Sequence, residues 1–192
     1  NWSTASLKTE LNETYLLTLL GTSNVNGKLS SGIANAKWHL GGANSTSGSN
    51  YKYDTITIEN YYKAERSPYA TSGTLQNLYS DNPEYVFAKV GLMYPSDYGY
   101  ATVGGSTTSK ANCRAKELFN WKDESYSDCK NNDWLYNSSN WQWTVSPSAD
   151  SSRAYSVFSV RSYGYVGGAN AYYTGLVRPS VYLISKTSIL GG

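Results

Sequence analysis

Six acidic residues lie among aromatic ones: Asp97, Asp123, Glu124, Asp128, Asp133 and Asp150. Two carboxylates can act as general acid and base on a glycosidic bond when they face each other at hydrolytic separation. Spacing in sequence does not place such a pair, and solvated loop acids and helix caps are the commoner use of these residues. A carboxylate-dependent hydrolase therefore ranks last among three function classes, and the chain reads as non-enzymatic. The single histidine, His39, lies in Trp38-His39-Leu40. One histidine among apolar neighbours reads as a packed residue, which removes Ser-His-Asp and Cys-His nucleophilic chemistry together.

Cys113 and Cys129 are the two cysteines, close together in a polar stretch. With no CxxC partner and no nearby histidine, zinc and redox catalysis fit poorly. The alternatives are a bridge or a pair of reduced thiols. A bridge is favoured; it would contribute about 3 kcal/mol and point to an oxidising compartment, extracellular or at a cell surface. Asp123, Asp128, Asn131, Asn132 and Asp133 offer oxygen ligands within one region, which leaves calcium open although no EF-hand loop is present. No other metal or cofactor is expected.

Tyrosine is the unusual residue: 19 Tyr stand beside 6 Trp and 3 Phe. Phenol rings give large contact area with a polar handle, and the accompanying Ser, Gly and Asn give adaptable hydrogen bonds, the mixture found in paratopes. Solubility alone would also favour this composition in an extracellular β domain. Charge argues against a nucleic-acid partner, because a net +2 without a basic run supplies no phosphate-binding stripe. The chain opens at Asn1-Trp2 with no secretory apolar segment and no run of about 18 apolar residues, so it reads as a mature or excised domain without membrane insertion.

The elements that must hold these residues divide unevenly. Ser3 or Thr4 can cap a helix through Leu7, Leu11, Tyr15, Leu16 and Leu19, ended by Gly21. Gly41 to Asn50 reads as a loop without packing content, and Glu59 to Arg66 as a helix. Val86 to Met93 reads as a buried central strand. Trp141 to Val145 and Ala154 to Arg161 follow as strands, with hairpin turns at Gly164 and Gly167-Gly168. Leu176 to Ile184 closes the chain as a strand whose Pro179 requires an edge or a bulge. Helices first and strands last give an α+β class, with a mostly antiparallel sheet formed by the C-terminal half of a single domain spanning 1–192.

Alternation along Ala154 to Arg161 puts Phe158 and Val160 on a core face and Tyr155, Ser159 and Arg161 on an exposed one. Tyr163, Tyr165, Asn170, Tyr172 and Tyr173 follow, and the eight residues together form the candidate ligand-binding face. Trp134, Trp141 and Trp143 are expected as core anchors.

Three stretches carry a resemblance: WSTASLKTELNETY at Trp2 to Tyr15, GLMYPSDYGYA at Gly91 to Ala101, and WQWTVSP at Trp141 to Pro147 continuing into SVFSVRSYGYV and GLVRPSVYL. Together they resemble uncharacterised domains in surface-exposed and prophage-encoded proteins of Gram-positive gut bacteria. The last group is also similar to the C-terminal half of C-type-lectin-like domains of the formylglycine-generating-enzyme and retroelement-diversified variable types. The Glu-Pro-Asn and Trp-Asn-Asp sugar signatures of animal lectins are missing, as is the late cysteine pair of the oxidase. The resemblance implies a C-type-lectin-like fold and a displayed domain that binds a protein or glycan on a host or bacterial surface, as the head of a pilin-like or phage-tail protein. A filament or surface-layer subunit that self-assembles is the structural alternative. The resemblance also implies that Arg178 is a buried ion-pair partner beneath the ligand face.

Overall fold

The computed structural model describes residues 2–20, 32–43, 52, 54–66, 82–149 and 155–184. Helices and antiparallel strands mix along these segments, as an α+β chain should. The strands form a two-stranded sheet of β1 (Ala36–His39) with β2 (Tyr85–Ala88) and another of β3 (Val90–Leu92) with β7 (Pro179–Val181). A three-stranded sheet has the order β4 (Gln142–Pro147), β5 (Ser156–Val160), β6 (Val166–Asn170).

Two apolar clusters lie on either side of the three-stranded sheet. Phe158, Val160 and Val166 enter a cluster with Ile58, Tyr61, Tyr98, Leu118, Trp121, Cys113 and Cys129. Trp143, Val145 and Ala169 enter the other, with Trp2, Leu11, Leu16, Trp38 and Leu92. Each fully buried Leu, Ile or Phe side chain contributes roughly 1.5–3 kcal/mol, so both clusters matter to stability. The disulfide between Cys113 and Cys129 is formed, with Cα atoms 5.4 Å apart.

The N-terminal segment covers the second cluster. Trp2–Thr4 form a 3-10 turn, followed by α1 (Ser6–Glu10), a π-helical turn at Leu11–Tyr15 and α2 (Leu16–Leu20). Asn12 fastens this run to β3: its amide donates to Val90 O at 2.8 Å and accepts from Val90 N at 2.9 Å. Ala5, not Ser3 or Thr4, occupies the N-cap, without a side-chain bond. Tyr15 turns to solvent, because the π turn rotates the apolar stripe away from simple helical spacing.

Three further expectations change. The run at Val86 to Met93 is broken into β2 and β3, which pair with different partners. A Cβ at Gly91 would meet the Trp38 ring at 2.5 Å, so glycine is what lets β3 lie against that indole. Gly167 and Gly168 sit inside β6 rather than in a turn; only Gly164, at φ +84°, turns the β5–β6 hairpin. Of the Gly41 to Asn50 loop, Ala43 is fully buried and its carbonyl accepts from Ala149 N. Gly21, Asp150 and Ala154 lie outside the described residues. The Leu176–Ile184 segment joins at three places: Leu176 bridges Gln142, β7 pairs with β3, and Leu183 bridges Ile33. Pro179 lies at the start of β7, opposite Leu92.

Candidate functional site

The eight candidate binding residues do not share one face. β5 is the middle strand, and the N-terminal cluster covers the side that alternation assigns to solvent. Ser159 is consequently fully buried, with its hydroxyl donating to Gly167 O at 3.2 Å. It is withdrawn as a ligand contact. The remaining seven sit at or beyond the two ends of the hairpin strands, and the ends of five-residue β5 are about 13 Å apart at about 3.3 Å per residue.

One end gathers Tyr155, Asn170, Tyr172 and Tyr173. Ala171 N donates to Tyr155 O at 2.8 Å, which holds the chain entering β5 beside the chain leaving β6. Tyr155, Tyr172 and Tyr173 are 57%, 74% and 52% exposed. The Tyr172 and Tyr173 rings tilt together with centroids 4.7 Å apart, and Asn170 Nδ2 donates to Tyr172 Oη at 2.8 Å. That bond, from a donor to the phenolate oxygen, draws the Tyr172 pKa down, whereas the neighbouring Tyr172 pushes that of Tyr173 up.

Beside this end lies a cleft of about 340 Å³ between the N-terminal segment and the sheet. Trp2, Leu7, Leu92, Trp143, Val157 and Ala171 are among its walls, and Ala171 joins it directly to Tyr172. Among the described residues no charged side chain lines it, so it suits an uncharged group with one apolar face.

The opposite end holds Arg161, Tyr163 and Tyr165 at the Gly164 turn. Tyr163 is 72% exposed, while Tyr165 is half-buried and packs edge-on to Phe119 at 5.5 Å. Arg161 donates to Gly168 O at 2.6 Å and lies 5.3 Å from the Trp141 ring.

The indoles separate as well. Trp143 is buried, and Trp141 is half-buried against it with centroids 4.5 Å apart. Trp134 is 73% exposed and is no core anchor. Its neighbour Leu135 goes inward instead, fixed by Leu135 N donating to Asp133 Oδ1 at 2.8 Å. Arg178 is half-buried, but its partner is a neutral amide: Nε donates to Gln142 Oε1 at 2.9 Å, and Gln142 Nε2 donates to Leu135 O at 2.9 Å. Asp133 stays within electrostatic reach of Arg178; burial nevertheless pushes its pKa up to about 7.

Of the six acidic residues, Asp97, Asp128 and Asp133 are engaged in structural hydrogen bonds. Asp97 accepts from Tyr94 N at 2.8 Å and caps the helix Pro95–Ala101, and burial raises its pKa. Asp128 accepts from Thr107 N and Oγ1, both at 2.7 Å, and from Thr108 N at 3.1 Å, which lowers its pKa. Asp123 and Glu124 are exposed. Among the described residues no group of three His, Cys, Asp or Glu side chains comes together to hold a metal ion. No described helix is long and apolar enough to cross a membrane.

Sequence reading misses Glu65, on the helix Ile58–Arg66. Its fully buried carboxylate accepts from Ser96 N at 2.9 Å, from Ser96 Oγ and from Arg66 Nη1 at 2.7 Å. Burial pushes its pKa up to about 8 against the pull of Ser96 and Arg66. Arg66 also stands over the rings of Tyr62 and Tyr94, at 3.8 and 4.5 Å. Tyr94 in turn accepts from His39 N at 2.7 Å and donates to His39 O. His39 itself is half-buried, and its pKa is lowered by desolvation and by Lys37 and Arg66. A charged pair at the end of an amphipathic helix gives no sign in sequence that it turns inward.

No family model, curated protein or solved structure matches the chain.

Proposed function

We propose that this chain is a displayed, non-catalytic recognition domain that meets a protein or glycan on a host or bacterial surface. The contact is made by the tyrosine end of the β5–β6 hairpin and the cleft beside it. One observation carries the reading: three exposed tyrosines, Tyr155, Tyr172 and Tyr173, flank Ala171, a wall residue of the cleft, through the Ala171 N to Tyr155 O bond and the chain that follows it. Aromatic rings with little conformational freedom are favoured contact residues, and an adjoining cavity gives them an anchor point. The bridge of Cys113 and Cys129 suits an extracellular or cell-surface setting. Helices ahead of a C-terminal antiparallel hairpin, with the last segment returning to β3, are compatible with a C-type-lectin-like arrangement.

A protein and glycan array tests the reading. The unaltered chain should give discrete hits, and Tyr155→Ala/Tyr172→Ala/Tyr173→Ala should weaken them by at least about tenfold while far-UV circular dichroism is unchanged. Hits that survive the triple substitution in a folded protein would rule this end out.

A further inference from the structure

The other end of the hairpin carries a different chemistry. Lys122, Lys130 and Arg161 lie on the segments that meet at the Gly164 turn. Lys130 Nζ lies 3.3 Å from Lys122 O and 3.4 Å from Tyr163 O, Lys122 Nζ is 5.6 Å from the Tyr165 ring, and Arg161 N donates to Tyr165 O at 2.8 Å. The Lys130 stem occupies the space a Cβ at Gly164 would need, which fixes the lysine against the turn. Lys122 Nζ stands 3.6 Å from the centroid of Phe119 and 5.6 Å from that of Tyr165.

These cations are held by carbonyls and rings, not by acids. Ion pairs among the described residues include Lys52–Asp54, Lys63–Glu59, Arg66–Glu65 and Lys116–Glu117. Among the described residues no carboxylate is within ion-pair distance of Lys122, Lys130 or Arg161. Asp123 and Glu124 neighbour Lys122 in sequence and point to water, and Asp128 is occupied by Thr107 and Thr108. An ammonium has three donors and a guanidinium five; carbonyl contacts leave some of them, and all of the positive charge, for a ligand. Cations already positioned in this way lose less freedom on meeting an anion than free side chains do.

We infer that this end is a second site, for a polyanionic glycan carrying sulfate or carboxylate groups. It is separate from the tyrosine-end contact and does not depend on it. Rings alternate with cations here: Tyr163 is exposed beside Lys130, and Phe119 and Tyr165 lie beside Lys122. That pattern fits a sugar ring whose CH face lies on a phenol while its anionic substituents reach the neighbouring cations. Nucleic acid fits less well, since it needs an extended row of phosphate contacts and the chain has a net charge of only +2.

The test titrates the full chain, by isothermal calorimetry, with a heparin tetrasaccharide, with tetragalacturonate, with neutral cellotetraose and with a tetraglutamate peptide. At least one anionic oligosaccharide should bind, cellotetraose should not, and added salt should weaken binding by about tenfold or more. Preference between the first two separates sulfate from carboxylate recognition. Lys122→Gln/Lys130→Gln should cost at least about tenfold and Tyr163→Ala several-fold, while the double control Lys52→Gln/Lys63→Gln, which removes the same charge from lysines paired with Asp54 and Glu59, should bind as the unaltered chain does. Should Lys130→Gln disturb the turn, Lys122→Gln alone, at an exposed position, gives the same readout. The inference is overturned if neither anionic oligosaccharide binds, if the lysine substitutions leave affinity intact, or if tetraglutamate binds as tightly with Tyr163→Ala silent.

Discussion

Both ends of the β5–β6 hairpin display tyrosine, yet their surroundings differ. At one end Tyr155, Tyr172 and Tyr173 have Asn170 and an uncharged cleft for company. At the other, Tyr163 and Tyr165 share space with Lys122, Lys130 and Arg161. The supports differ too: Trp143 and the N-terminal segment wall the cleft beside the tyrosine end, whereas at the cationic end Lys130 follows Cys129 of the disulfide-bearing cluster. A count of aromatic residues thus says that a surface is sticky, and the neighbours decide for what.

Removing one support at a time should break the two ends separately. Trp143→Ala empties a wall of the cleft and should cost about 3–5 kcal/mol in urea unfolding. Native-state hydrogen exchange should rise first at Tyr155 and Ala171. Replacing both cysteines by serine should cost about 3 kcal/mol and loosen Lys130, which follows the bridged Cys129, before it loosens Tyr172. Equal loosening of both ends in either variant would show that they are one cooperative unit.

A pH series sharpens the comparison from the side of the Glu65 network. Glu65, raised from 4.5 to about 8, and Asp133, raised from 3.8 to about 7, hold protons in the folded chain that the unfolded chain has released. Their contribution is fully present below the unfolded values and is lost as pH rises through the folded ones. Stability should therefore fall between about pH 5 and pH 8, by on the order of 5 kcal/mol. Asp128, lowered by its bonds from Thr107 and Thr108, works in the opposite sense below its usual range. Glu65→Gln should flatten much of the decline, as followed by thermal melts. Stability that rises across this window would contradict the protonated Glu65. The smallest effect belongs to Trp134→Ala: an indole 73% exposed should change stability by no more than about 0.5 kcal/mol.

How far the sequence could be read depends on whether a residue answers to its local pattern or to distant cover. The mixed helix and antiparallel class, the bridged cysteines and the turn at Gly164 follow from local features. Ser159 does not, because alternation assumes that one face of β5 meets water. The segment from Trp2 to Leu16, more than a hundred residues earlier in the chain, covers that face. Trp134 fails for the converse reason. A large indole was expected inside, but Asp133 turns Leu135 inward and leaves the tryptophan out. Within the candidate site, the exposure of Tyr155, Tyr163, Tyr172 and Tyr173 was legible from their position around a hairpin. Their division between two ends was not, since a list of residues does not measure the length of the strand between them.

The most direct test of the tyrosine end is amide and indole chemical-shift mapping of the whole chain, titrated with its strongest array ligand. Shifts should concentrate at Tyr155, Ala171, Tyr172, Tyr173 and the Trp143 indole. Shifts confined to surfaces away from these residues, with the five resonances unmoved at saturation, would contradict the assignment.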